Sequence, residues 1–224
     1  ASVPGASAVA TTLEAAVAHA VRQRGGSPPS DWSEWRSHVA LSLVDLEPAR
    51  RTVRGLFSGG TLCYEAQTLL QRYLGDVWSN APLDDRHRVP APAGAHVCLD
   101  LGEEEYTKGR PHPMIDAEAR LGPLAEAGAD DEVAVVLLDV VLGYGAHDDP
   151  ASVLAPACAA VAGPDGPRVV VYVLGTDKDP QDLARQRRAF EEAGCLVAPT
   201  AARGALAAAA IAGRQPPIVV EDLS

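Results

Sequence analysis

Apolar residues along the chain follow two spacings. From residue 52 onward, short and nearly unbroken apolar runs alternate with segments whose apolar positions recur every three or four residues. The runs "TVRGLF" (52–57), "AHVCLDL" (95–101), "EVAVVLLDVVLG" (132–143), "RVVVYVLG" (168–175) and "CLVAPT" (195–200) predict five strands. Between the first two, Leu62, Ala66, Leu69, Leu70, Tyr73 and Leu74 share one helical face, and Gly75 suits the residue just past a helix end. "HDDPASVL" predicts a helix with Asp149 as N-cap and Pro150 in the first turn. "DKDPQDLARQRRAFEEAG" predicts another with Asp179 as N-cap, Pro180 in the first turn and Gly194 past the end. In "EARLGPLAEAG", Gly122-Pro123 interrupts an expected helix, which must kink or restart there. Strands apolar on both faces and separated by helices belong to a covered parallel sheet. The expected fold is α/β: a flavodoxin-like, doubly wound parallel sheet of about five strands with helices on both faces, spanning residues 52–213.

Residues 1–51 read as a short helical arm and linker, the remnant of an upstream domain, and residues 214–224 as a tail. In "TTLEAAVAHAVRQR", Leu13, Ala16, Val17, Ala20 and Val21 form one apolar stripe. "GGSPPSD" is a linker by composition, and a second short helix is expected from Asp31. The start lacks both a basic leader with a long apolar core and an initiator Met, so it reads as a processed chain or an excised fragment.

Composition narrows the function. A 47% hydrophobic fraction, mostly Ala, Val and Leu with only 4% aromatics, supports a sizeable core of helices on a sheet. A net charge of −11 repels phosphate backbones and anionic lipid, so neither nucleic acid nor membrane is an expected partner. Cys63, Cys98, Cys158 and Cys195 are isolated in or beside apolar runs, as in reduced thiols of a cytoplasmic protein.

Ligands of such sheets bind beyond the carboxyl ends of the strands, near the point where strand order reverses. Four loops qualify: 58–61, 102–116, 143–149 and 175–181. Ser58-Gly59-Gly60-Thr61 joins a strand to a helix N-terminus, where bare backbone N–H groups and the helix dipole favour phosphate or carboxylate, and where tight turns also occur. The second loop gathers Lys108, Arg110 and His112, the last bracketed by prolines. Guanidinium and ammonium suit a substrate carboxylate, and His112 is the acid–base candidate. In the third loop His147 and Asp148 are candidates to orient the substrate. Asp139, His147 and Asp148 are too loose a set for a metal, and none is expected. Gly175 and Thr176 extend the phosphate-binding set into the fourth loop. The other histidines, His19, His38, His87 and His96, and all three tryptophans read as structural or surface residues.

"GLFSGGTLCYEA", "GRPHPMIDAEAR", "LLDVVLGYGAHDDP" and "GTDKDPQDLARQ" together resemble the signature segments of FdrA-type proteins of the acyl-CoA synthetase superfamily, related to the succinyl-CoA synthetase alpha subunit. The resemblance runs from about Thr52 to Gly213 and implies a ligase-CoA-type domain working through phosphorylated acyl intermediates. It implies that Ser58 to Thr61 cradle a phosphate or acyl phosphate. It also implies partner subunits or an upstream CoA-binding-type domain, an oligomer, and an oxamate carbamoyltransferase-like reaction. The sequence departs from the family in two respects: the loop after the fourth predicted strand, "GTDKDPQ", has no histidine where the synthetases carry a phosphohistidine, and of the upstream CoA-binding-type domain at most the final residues are expected here. CoA binding by this chain alone is not expected. Two readings follow: an acyl- or carbamoyl-transferring enzyme component acting on a small anionic substrate, or a non-catalytic scaffold or regulatory subunit that retains an anion site.

Overall fold

Strand β4 (Val133–Val141) is buried along all but its last residue, because strands flank it on both sides and helices cover both faces. A computed structural model of the chain describes residues 10–223. It places β4 in a six-stranded sheet with β1 (Thr52–Phe57), β2 (Val77–Ser79), β3 (His96–Asp100), β5 (Arg168–Leu174) and β6 (Leu196–Val197). The order is β2-β3-β1-β4-β5-β6, and every neighbouring pair is parallel. Without β2 the five predicted strands lie in the order second-first-third-fourth-fifth, which is the flavodoxin arrangement. The added strand β2 is a three-residue edge, "VWS", too short for its period to show in sequence.

Helix α3 (Gly60–Leu74) follows β1 and packs with α8 (Ala201–Gly213) on one face of the sheet. Helices α5 (Leu121–Ala129), α6 (Pro150–Val161) and α7 (Leu183–Glu192) cover the other face. The short helix α4 (Glu104–Thr107) lies in the loop after β3. Because α3 and α6 leave β1 and β4 toward opposite faces, the chain parts between those two strands. That is the topological switch point, and the four predicted loops lie along its edge. Helix α8 is rich in alanine and buried from Ala202 to Ala212, so it sits close to the sheet, while Leu206 and Ile211 fill the remaining space.

The arm contains α1 (Leu13–Gln23) and α2 (Ser33–Ser42). Trp35 and Val39 of α2 join the core beneath α8, together with Ile218 and Val219 of a 3-10 helix at Pro216–Val220. The expectation for α1 is corrected. Its buried residues are Ala15 and Ala18, whereas Leu13 and Val17 of the predicted stripe remain 50% and 62% exposed. Glu14 turns inward to Arg203 and rotates the stripe away from the core. One further sequence expectation changes. Asp179 closes a turn by accepting from Thr176 N–H (2.6 Å), and the N-cap of α7 is Asp182. Of the two outcomes expected at Gly122-Pro123 the structure takes the restart: a 3-10 turn (Ala117–Arg120) ends and α5 begins at Leu121, placing Pro123 in a first turn that needs no N–H. All four cysteines are free and buried, and burial pushes the Cys63 thiol up to about 12. Among the described residues no helix is long and apolar enough to cross a membrane.

Gly55 is a packing requirement: a Cβ there meets Phe57 Cε2 at 2.6 Å and Cys98 Sγ at 2.8 Å. We expect Gly55→Ala to cost about 1–3 kcal/mol through overpacking, and Leu206→Ala about 2–5 kcal/mol through a cavity. Urea unfolding at constant m-value measures both.

Candidate functional site

At the carboxyl end of β1 the chain turns through Ser58 and Gly59 into α3, which begins at Gly60. Gly59 is the N-cap, in extended backbone, and no side chain caps it, so the first-turn N–H groups stay available. A side chain at Gly59 would meet open space, whereas one at Gly60 would press on Asp100 Oδ2 (3.1 Å) and Tyr64. Thr61 is exposed beside them.

Ser58 is spent on a different task from the one expected of it. Its N–H and its hydroxyl both donate to Asp139 of β4, at 2.7 and 2.5 Å. Arg120 completes the cluster. Its Nη2 donates to Leu56 O (2.6 Å) and to Asp139 Oδ1 (3.2 Å), and its Nη1 donates to Asp139 O. Both charged side chains are 2–3% exposed. The break between the 3-10 turn and α5 lets Arg120 point inward, because the residue before the restart leaves the surface of α5. A cavity of about 10 Å³ adjoins the cluster, bordered by Ser58, Met114, Arg120 and Pro150. Little room is left in the crevice itself, and the elbow's more accessible groups are those of residues 59–61.

The 102–116 loop closes it. A Cβ on Gly102 would fall 2.6 Å from His112 Nε2, 2.7 Å from Ser58 O and 3.1 Å from Asp100 Oδ1. His112 thus faces Asp100 across a glycine beside the elbow. His112 Nδ1 accepts from Met114 N–H at 3.2 Å, which leaves Nε2 as the N–H nitrogen of the neutral ring. Asp100 is buried, accepts from Gly102 N–H at 2.8 Å, and is anchored by a pair of backbone hydrogen bonds with Asn80. Burial pushes its carboxyl above the usual range; Glu103 and Asp139 add to the push, while His112 and the Gly102 N–H oppose it. Lys108 and Arg110 stand exposed on this loop on either side of Gly109 (φ +77°).

His147 sits where three loops meet. Its N–H donates to Met114 O (2.8 Å), its Nδ1 accepts from Asp149 N–H (3.0 Å), and its carbonyl accepts from Gln181 Nε2 (3.3 Å). Asp148 is exposed beside it. Asp139 takes Ser58 and Arg120 as partners, not His147 or Asp148. Gly175 is pressed against Leu142, and Thr176 is engaged with Asp179 and Lys178. These last two follow β5, two strands from the elbow. The elbow, Asp100 and His112 are thus brought together, and Gly175 and Thr176 are not among them. Asp100, Asn80 and Arg120 carry no role in the sequence reading. Arg120 does stand immediately before the Leu-Gly-Pro restart, a signal that its side chain leaves the helix surface.

The model of the CoA-ligase family matches residues 56–211, from the end of β1 through most of α8. The chain belongs to the CoA-ligase family. It is 38% identical over 167 residues to an uncharacterized protein, YahF, of Escherichia coli (strain K12); the match covers 71% of this chain and 32% of that protein, so the chain spans about a third of this relative's length. The domain is thus of the CoA-ligase type found in acyl-CoA synthetase-like proteins, with the Ser58–Asp139–Arg120 cluster inside the matched region.

Arg120→Met removes the only cation facing Asp139 among the described residues. We expect a loss of about 3–5 kcal/mol, with recovery of part of it in Arg120→Met/Asp139→Leu, read by chemical denaturation as a double-mutant cycle. Asp100 gives a pH test. Its folded-state pKa is raised, so its ionisation costs stability. That cost is absent below the unfolded value near 3.8, grows as pH rises toward the raised folded value, and is constant above it. Asp100→Asn should therefore stabilise the CoA-ligase domain at neutral pH, with the gain vanishing below about pH 3.8, in thermal melts across pH.

Proposed function

We propose that the domain is the phosphate- or acyl-phosphate-handling part of an FdrA-like acyl transferase, and that it works with other subunits or an upstream CoA-binding-type domain. The observation that carries the reading is an uncapped helix N-terminus opening to solvent at the switch point, with His112 and Asp100 beside it. The N–H groups of Gly59, Gly60 and Thr61 receive the anion. Exposed Lys108 and Arg110 pair with a substrate carboxylate. Ser58 acts through Asp139, holding the elbow in place rather than touching the ligand.

Carbamoyl transfer fits this set. A hydrogen phosphate oxygen attacks the carbamoyl carbon, the bond to the donor nitrogen breaks, and the departing nitrogen takes its proton from His112 Nε2, which is reprotonated by the proton the phosphate gives up. Carbamoyl phosphate and an amide-bearing acid such as oxamate leave. His147 and Asp148 orient the donor from the neighbouring loop. The loop at 175–181 has no histidine, so the phosphoryl group stays on the substrate.

The test is thermal melting of the chain with inorganic phosphate, carbamoyl phosphate and CoA in turn. At a hundredfold excess over Kd, a phosphate-bearing ligand stabilises by about 2.7 kcal/mol, which raises Tm by roughly 5–10 °C in a domain of this size. Lys108→Ala/Arg110→Ala should weaken the shift with carboxylate-bearing donors. His112→Asn should keep the phosphate shift and lose turnover in the presence of partner subunits. An unmoved midpoint with every phosphate ligand sinks the reading. A preserved shift without turnover under any partner supports the scaffold role.

A further inference from the structure

A second, much larger cavity of about 600 Å³ lies between α1 and the α3/α8 face, lined by none of the switch-point residues. Its size is that of a small-molecule site. One wall is the apolar stripe of α1: Leu13 and Val17 are 50% and 62% exposed because they look into this space and not into the core. Opposite stand Leu62 and Glu65 of α3 and Leu174 at the end of β5.

The polar groups of the wall select the ligand. Arg203 has little to offer an anion: four of its five N–H groups are engaged, that of Nε and one of Nη2 by Glu14 and both of Nη1 by the carbonyls of Val219 and Glu221, and the Glu14 carboxylate offsets its charge. Glu14 is occupied by the same guanidinium and by Thr200 Oγ1. Glu65 differs. It is only 8% exposed, its Oε1 accepts from Leu13 N–H at 2.5 Å, and its Oε2 has no partner in the protein. An unpartnered buried oxygen carries a desolvation cost that a ligand N–H relieves.

We propose that this cavity binds a small apolar amine, its hydrocarbon or aromatic body against Leu13, Val17, Leu62 and Leu174 and its nitrogen on Glu65 Oε2. The amine arrives as the ammonium and pairs with the Glu65 carboxylate; burial pushes that carboxyl up, and any proton it carries passes to solvent as the cation binds. The acidic charge of the whole chain favours the approach of a cation. The inference is independent of phosphate binding at the elbow.

Two fluorescent probes with the same body and opposite heads test it on the full chain: dansylcadaverine, an amine, and N-dansyl-6-aminohexanoic acid. The amine should bind one to one, with blue-shifted emission and energy transfer from Trp32 on the cavity wall, about tenfold or more tighter than the acid. Glu65→Gln keeps an acceptor for Leu13 N–H and should erase most of that preference. Ala18→Phe, which fills the cavity from α1, should abolish both signals, with circular dichroism confirming that each variant is folded. The proposal fails if the amine does not bind, if the acid binds as tightly, or if Glu65→Gln and a folded Ala18→Phe both leave binding unchanged.

Discussion

A guanidinium and a carboxylate sealed together at the switch point set the terms for everything around them. The β1–β4 pairing runs to Leu56 and Leu138, after which the two chains diverge toward opposite faces. Divergence leaves strand-end carbonyls without ladder partners, and a buried unpartnered carbonyl is costly. Arg120 meets that need, donating to Leu56 O and Asp139 O and so replacing the missing cross-strand bonds. A buried ion pair alone seldom repays its desolvation. This one is favoured because the same guanidinium also satisfies two backbone acceptors, and Ser58 supplies two more donors to the carboxylate.

That arrangement decides which way the elbow faces. With the Ser58 N–H and hydroxyl pulled inward, the next N–H groups along the chain, at the start of α3, turn outward. Gly102 must then pass within contact of Ser58 O, and its missing side chain is what allows His112 to lie against the elbow. A serine that hydrogen-bonds inward and a glycine in the adjoining loop thus cooperate to present uncapped backbone, a histidine and a buried carboxylate on one surface.

The alternation of apolar runs and helical segments was enough to read the parallel sheet, its order apart from the three-residue edge β2, and the loops that share its carboxyl edge. Those features follow from periodicity and chain direction, which are local. The Arg120–Asp139 pair joins residues nineteen apart in sequence through a helix restart; the restart is legible at Leu121-Gly122-Pro123, but the partner that the arginine reaches is not. Asp100 reads as an ordinary strand-end residue until Asn80 and Gly102 are seen to hold it. Asp179-Pro180 has every mark of a helix start, yet the real cap is Asp182, in a left-handed conformation that its own side chain supports through Arg185 N–H. The stripe of α1 is visible in sequence, but its direction is set by the long-range Glu14–Arg203 pair.

Charge explains why so few residues need to define the elbow's chemistry. In a chain of net charge −11, an anion is drawn only to places where local groups overcome the general field. The elbow offers a helix N-terminus, with Lys108 and Arg110 on the loop beside it. Against these stands Asp100, whose Oδ2 lies near Gly60. An anion settling there adds negative charge next to a carboxyl already raised by burial, and drives it further toward the protonated form. By linkage, anion and proton are then taken up together. For the anion proposed at this elbow, a protonated Asp100 would remove the repulsion, so the feature that opposes an anion there would become part of how one is held.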